Sequence, residues 1–295
     1  MNKPAGIIII SLCFNFSLQD INAQEKALVN TSVSPYALLQ SVDMDDVKWI
    51  DSFWAERFEV CKDSMVPGMW EKLSDAEVSH SFRNFEIAAG KKKGMHKGPP
   101  FSDGDFYKWL ESAASVYAVT RDEQLDSLMD DIIKVIARSQ REDGYIHTPV
   151  TIQQLDKAPD KKEFMDRLDF ETYNIGHLMT AACIHYRATG KTTLFAVAEK
   201  ATDFLYDFYK RSSPELARSS ICPSHYMGVV EMYRTTGDSK YLELAENLIN
   251  IRDLVKNGTD QNQDRIPFRQ QTKAVGHAVR ANYLYAGVAD VYAET

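Results

Sequence analysis

Apolar residues recur every three to four positions along most of the chain, the spacing of helices that bury one face. Between Tyr241 and Val255, for example, Leu244, Leu248, Ile251 and Val255 fall together with Tyr241 and Ala245, while Glu243, Glu246 and Asn247 face away. A second kind of segment is apolar nearly all round. Ala278, Val279, Ala281, Leu284, Tyr285, Val288, Ala289, Val291 and Tyr292 leave almost no solvated face. The two kinds alternate, and the junction between them repeats as Tyr-x-x-Thr. Its copies end at Thr120, Thr189, Thr236 and Thr295, and helices follow the first three near Leu125, Leu194 and Tyr241. Gly190 and Gly237, directly after two of the threonines, supply the positive φ that helix ends favour. Each unit therefore reads as a helical hairpin, and no alternating β-branched run predicts a sheet. Inner helices packed on both sides and outer helices wetted on one predict an all-α fold of (α/α) toroid or solenoid type. The fourth hairpin has an inner helix without an outer partner, so the pattern predicts a ring truncated at Thr295.

Polar motifs cluster on this frame. Ser102-Asp103-Gly104-Asp105, Phe170-Glu171-Thr172-Tyr173, Cys222-Pro223-Ser224-His225 and Gly276-His277 each open an inner helix. The loops after the outer helices, holding Asp143 to His147 and Asp260 to Asp264, return to the same end. Acids, amides, imidazoles and aromatics are thus expected to converge on one mouth, as a polar site of sugar size.

Composition narrows the setting. The 295 residues carry a formal charge of −8, without the basic footprint of a nucleic-acid or anionic-membrane binder. Lys3 followed by the apolar run from Ile7 to Phe16, with Ile21-Asn22-Ala23 before Gln24, reads as a signal peptide over 1–23. The chain is then expected to cross the inner membrane and work in the periplasm or outside the cell. Residues 24–46 read as a linker and 47–295 as a partial toroid. No other stretch is apolar enough for a membrane span. Besides Cys13, only Cys61, Cys183 and Cys222 remain, an odd set without metal-site or disulfide spacing. Nothing in the sequence fixes the oligomeric state.

Several segments resemble glycoside hydrolase family 127, whose best-known members are β-L-arabinofuranosidases with an (α/α)6 barrel. They are His80-Ser-Phe-Arg-Asn-Phe-Glu-Ile-Ala-Ala-Gly90, Phe101-Ser-Asp-Gly-Asp105-Phe-Tyr107-Lys-Trp-Leu-Glu111, Asp143-Gly-Tyr145, Gly176-His177 and Gly276-His277-Ala-Val-Arg280. Five such segments in family order cover nearly all of the chain after residue 46. The resemblance implies a retaining glycosidase of plant cell-wall glycans. Its nucleophile is a cysteine held at a zinc site of cysteines and a glutamate, and a separate glutamate is the acid/base. In the family these residues lie beyond the Gly-His-Ala-Val-Arg segment, so no catalytic residue, metal ligand or zinc site carries over to this chain. His277 matches a histidine placed against the sugar. Two departures bear on the sugar. Phe170 stands where the family commonly has a histidine before Glu-x-Tyr, and Cys222 stands where it has the histidine of Gly-His-Pro-Glu.

Each candidate has a plainer alternative. His277 could be bonded within the core, and Asp103, Asp105 and Glu171 could serve the helix starts as caps or hydrogen-bonded supports. Tyr107 and Trp109 fit core or mouth-wall aromatics. His147 fits a rim contact, and Cys222 with His225 fits the mouth better than a metal pair. Lys91-Lys92-Lys93 is a solvated run. The expected substrate-facing set is therefore His277, Glu171, Asp103, Asp105, Tyr107, His147, Cys222 and His225. Two other functions compete. One is an unsaturated-uronate hydrolase on the same fold, with Asp103, Asp105 or Asp143 as acid. The other is a glycan-binding remnant without catalysis.

Overall fold

The computed structural model describes residues 26–156, 161–211, 213 and 224–295; the expected signal segment and Cys222 lie outside them. The described chain is a succession of helices, with no strand and one isolated antiparallel bridge between Ala27 and Asp43. Three short helices come first: α1 (Ser52–Val60), running through a π turn into α2 (Val66–Ser74), and α3 (Ser81–Ala88). Three hairpins follow. They pair α4 (Ser102–Thr120) with α5 (Glu123–Ser139), α7 (Glu171–Thr189) with α8 (Thr193–Lys210), and α9 (His225–Thr236) with α10 (Ser239–Ile251). The short α6 (Thr148–Asp156) lies between the first two hairpins, and α11 (Ala278–Glu294) closes the order. The inner helices lie side by side, with α7 against α4 and α9, and α9 against α11. This is the all-α arrangement of an (α/α) toroid in part.

The Tyr-x-x-Thr repeat has a local cause. The Thr120, Thr189 and Thr236 hydroxyls donate to the carbonyls four residues back, at 2.9, 2.7 and 2.8 Å. The next residue turns left-handed, and its N–H donates to the carbonyl of Tyr117, Tyr186 or Tyr233 at 2.8, 2.8 and 2.7 Å. The same threonine oxygens then accept N–H groups two residues on, including that of Lys191 at 3.0 Å and that of Asp238 at 3.1 Å. One side chain thus ends the inner helix and starts the reversal, by satisfying backbone groups that a helix end leaves open. Asp122 and Asp238 cap the following outer helices through the N–H groups of Gln124, Leu125 and Lys240.

The inner helices are less apolar than their sequence suggests. Down their shared face run Lys108 and Glu111 of α4, Tyr173, His177, Thr180 and Arg187 of α7, Glu231 and Arg234 of α9, and Tyr283, Asp290 and Glu294 of α11. Thr180 donates to Glu111 at 3.1 Å. At the far end Arg187 meets Glu231 at 2.6 Å, and Arg234 meets Glu231, Asp290 and Glu294 at 2.7, 2.9 and 2.6 Å. The all-round packing expected for α11 is also not found. Ala281, Leu284, Gly287, Val291 and Glu294 form a buried stripe, while Val279 and Tyr292 are 50% and 81% exposed. The cause is that α9 and α10 cover α11 from one side.

A strap formed by residues 26–45 lies across the end opposite the inner-helix starts. Lys26 N–H donates to Asp43 at 2.9 Å, Asp45 pairs with Arg121 at 2.7 Å, and Arg187 donates to the Leu28 carbonyl at 3.0 Å. The Ser34 hydroxyl donates to the carbonyl of Ala293.

Candidate active-site mouth

The starts of α4, α7, α9 and α11 fall at one end, as the hairpin pattern requires, and the return loops join them. The site residues separate by depth. Asp103 is fully buried, and its carboxylate accepts the Thr148 N–H at 2.7 Å and the Thr148 hydroxyl at 2.6 Å. His147 is buried beside it, with Nδ1 3.6 Å from Asp103 and 3.1 Å from the amide of Asn174. That amide also donates to the Pro100 carbonyl at 2.9 Å and accepts the Gly104 N–H at 2.8 Å. Glu171 is buried too, accepting the Tyr145 hydroxyl and, at 2.8 Å, the Phe164 N–H. Two carboxylates at two helix starts therefore pin one loop, Asp103 at Thr148 and Glu171 at Tyr145.

These pins explain the placement of the expected contacts. His147 does not reach the rim, because its loop is drawn inward by Asp103 and Asn174. Asp103 and Glu171 have their oxygens on the protein, and neither side chain caps its own helix. Tyr107 and His225 are buried within the wall. Asp105 and His277 are exposed. His277 sits at the cap of α11, with its N–H on the Gln261 carbonyl at 3.3 Å and its own carbonyl accepting Ala281 N–H at 3.0 Å. Gly276 before it has φ +82°, and a Cβ there would lie 1.8 Å from the Asp260 carbonyl oxygen. Only glycine lets the two loops approach so closely. The buried Gln263 side chain fastens this corner by donating to Val275 O at 3.0 Å and His277 O at 3.4 Å.

The sequence reading missed a second layer. Lys108 donates to the Tyr173 hydroxyl and pairs with Asp105 at 3.0 Å, and its ammonium lies 4.8 Å from the Tyr173 ring centroid. Tyr173 stands edge-to-face with His177 at 4.6 Å, and His177 with Tyr283 at 5.4 Å. Two spacings held the signal: Tyr173 and His177 are four apart on α7, and Asp105 and Lys108 three apart on α4.

Electrostatics follow burial. Burial pushes the Glu171 carboxyl up to about 8 and that of Asp103 to about 6, against the hydrogen bonds they accept. Burial also lowers His147 and His177 to about 3, so both are neutral imidazoles. The Glu171 shift gives a stability prediction. A carboxyl raised in the folded state favours folding most below its ordinary value of 4.5, and this contribution is lost as pH rises through about 8. Glu171→Gln is expected to flatten the decline in stability between those pH values, by on the order of a few kcal/mol. Urea melts at stepped pH check this; parallel curves for both proteins would refute it.

Among the described residues no group of three or more His, Cys, Asp or Glu could hold a metal ion. Cys61 and Cys183 are free, and burial pushes the Cys183 thiol up to about 12, so it stays protonated. These residues do not fit a zinc-thiolate centre. No described helix is long and apolar enough to cross a membrane.

Residues 46–295 match the family model described as the β-L-arabinofuranosidase, GH127 catalytic domain. The non-reducing end β-L-arabinofuranosidase of Bifidobacterium longum subsp. longum is 30% identical over 276 residues, covering 81% of this chain and 42% of that protein. A solved glycoside hydrolase is 51% identical with a TM-score of 0.72, covering 92% of this chain and 37% of its own. The GH127 β-L-arabinofuranosidase from Geobacillus stearothermophilus T6 is 33% identical with a TM-score of 0.75, covering 83% and 42%. The chain thus spans less than half the length of these relatives.

Proposed function

The chain belongs to the β-L-arabinofuranosidase family, glycoside hydrolase family 127, and from that premise we propose that it forms the sugar-pocket wall of a retaining glycosidase acting on arabinofuranosyl groups of plant cell-wall glycans. The observation that carries this reading is His277. It is exposed at the mouth, fixed by Gly276 and Gln263, and stands in the segment that resembles the family's sugar-contacting histidine. The residues of this chain bind and orient. His277 offers an imidazole to a sugar hydroxyl, and the Asp103 and Glu171 pins hold the loop that frames the mouth. The nucleophile, the acid/base and the zinc that the resemblance implies are not assigned to residues of this chain. Work on plant cell-wall glycans outside the cytoplasm accords with the N-terminal signal pattern.

The uronate-hydrolase alternative is not favoured. Asp103 has both oxygens on Thr148, Asp105 pairs with Lys108, and Asp143 pairs with Arg141. None is a carboxyl both exposed and free of a cation. The non-catalytic alternative shares the pocket and differs only in hydrolysis. Titration calorimetry of the chain with methyl β-L-arabinofuranoside is expected to show saturable heat, and His277→Ala to weaken affinity at least about tenfold, the loss of one or more buried hydrogen bonds. Identical isotherms for the two proteins, or no heat with either, would remove the pocket. Release of L-arabinose from p-nitrophenyl β-L-arabinofuranoside by the natural gene product then separates hydrolysis from binding.

A further inference from the structure

Asn257-Gly258 is the one place in the chain where glycine follows asparagine. The pair forms a turn between the end of α10 and the loop that carries Gln263. Asn257 is exposed with φ +59°, a left-handed conformation that asparagine tolerates better than most residues. Among the described residues, neither the Asn257 side chain nor the Gly258 N–H has a hydrogen-bond partner. The residues just beyond are held firmly. Thr259 N–H donates to the Asp264 carboxylate at 2.7 Å, and the Asp264 N–H donates to the Thr259 carbonyl at 3.2 Å. The buried Asp264 carboxylate also accepts Asn262 at 2.8 Å and Arg167 at 3.1 Å. Gly258 is pressed against this group, since a Cβ there would lie 1.8 Å from the Asp264 carbonyl oxygen.

An unshielded main-chain nitrogen beside an unbonded side-chain amide invites one reaction. Glycine has no Cβ to cover its nitrogen, and asparagine is among the chemically least durable residues. We propose that Asn257-Gly258 is a self-modification site, where deamidation through a cyclic imide loosens the corner that presents His277. The Gly258 nitrogen attacks Asn257 Cγ. An N–Cγ bond forms, the Cγ–Nδ2 bond breaks, and the Gly258 proton leaves with Nδ2 as ammonia. Water then opens the imide at either carbonyl. Opening at Cγ yields aspartate, which leaves the main chain as it was. Opening at the main-chain carbonyl yields isoaspartate, which adds a methylene to the backbone. The longer backbone has no space beside Asp264, so residues 259–264 shift, and Gln263 with them. Gln263 ties the Val275 and His277 carbonyls, so the displacement reaches the start of α11. Neither step depends on which sugar the mouth takes.

Ageing the full chain in mildly alkaline buffer, followed by site-resolved peptide mass mapping, tests the first step. Position 257 is expected to gain the amide-to-acid mass difference at least about tenfold faster than Asn250 or Asn282, and to split into aspartyl and isoaspartyl forms. Asn257→Gln, which must close a larger ring, is expected to abolish the gain at that position. A gain no faster than at Asn250, or one that persists in Asn257→Gln, overturns the site. Hydrogen exchange at the His277 and Ala281 N–H groups tests the second step. It is expected to quicken at least about fivefold in the isoaspartyl form, while Asn257→Asp keeps the wild-type rate. Exchange unchanged in the isoaspartyl form, or equally fast in Asn257→Asp, overturns the link from the turn to His277.

Discussion

Arg234→Met is expected to destabilise the protein by about 3–5 kcal/mol, the loss typical of removing one partner from a buried ion cluster. The Arg234 side chain is fully buried and serves Glu231, Asp290 and Glu294 together, with the Glu294 side chain only 1% exposed. Methionine fills a similar volume, so the deficit would come from Asp290 and Glu294 left without their cation, while Glu231 keeps Arg187 at 2.6 Å. Burial already raises Asp290 above its ordinary value with Arg234 in place, and removing the guanidinium would raise it further. The sign is then fixed. Carboxyls raised in the folded state favour folding at low pH and oppose it as pH rises, so the variant should recover part of its deficit between pH 7 and pH 5. Urea melts at both pH values decide it. A variant equally unstable at both would point to lost packing rather than uncompensated charge.

Gly176→Val should be nearly as damaging, at about 3 kcal/mol or more from overpacking at a helix crossing. A Cβ at Gly176 would lie 2.5 Å from the His225 Cα, and one at Gly228 2.5 Å from the Gly176 carbonyl oxygen. The obstructing atoms are backbone, which no rotamer change moves aside. Two glycines thus let α7 and α9 touch main chain to main chain. Forcing them apart would also displace His225, at the start of α9, from the mouth. Even Gly176→Ala should lose stability, because the clash outweighs the roughly 1 kcal/mol that alanine gains in a helix. Gly68→Ala in α2 is the control. Its Cβ would meet nothing within 4 Å, so the change should be neutral or mildly stabilising. Denaturation midpoints for the three variants provide the comparison, and equal midpoints for Gly176→Val and wild type would refute the crossing argument.

The hairpins were legible because their signals are local. Apolar spacing marks the outer helices, and the repeated threonine marks each reversal through its bond four residues back, a contact contained within one turn. The convergence of motifs at one end followed from hairpin geometry alone. What escaped were contacts between helices. Lys108, Arg187 and Arg234 sit in segments that read as apolar, and each finds its main partner on another helix: Lys108 on Tyr173, Arg187 on Glu231, Arg234 on Glu294. Periodicity cannot reveal such partners. The same gap misjudged depth at the mouth. Asp103 and His147 lie 44 positions apart in sequence, and only the fold shows that they bury each other rather than share the rim.

The strap across the far end bears on the order of assembly. Ser34 bonds to Ala293 across 259 residues of sequence, and Arg187 reaches back to Leu28 across 159. Closing so long a loop costs about 5 kcal/mol in chain entropy if nothing else is formed beforehand. The cost falls once the hairpins have folded and their inner helices, packed side by side, have brought the far end together. Hairpins first and strap last is therefore the favoured sequence of events. Asp45 and Leu28 can find Arg121 and Arg187 once α4 and α7 are made, but Ser34 must wait for α11 before its partner exists.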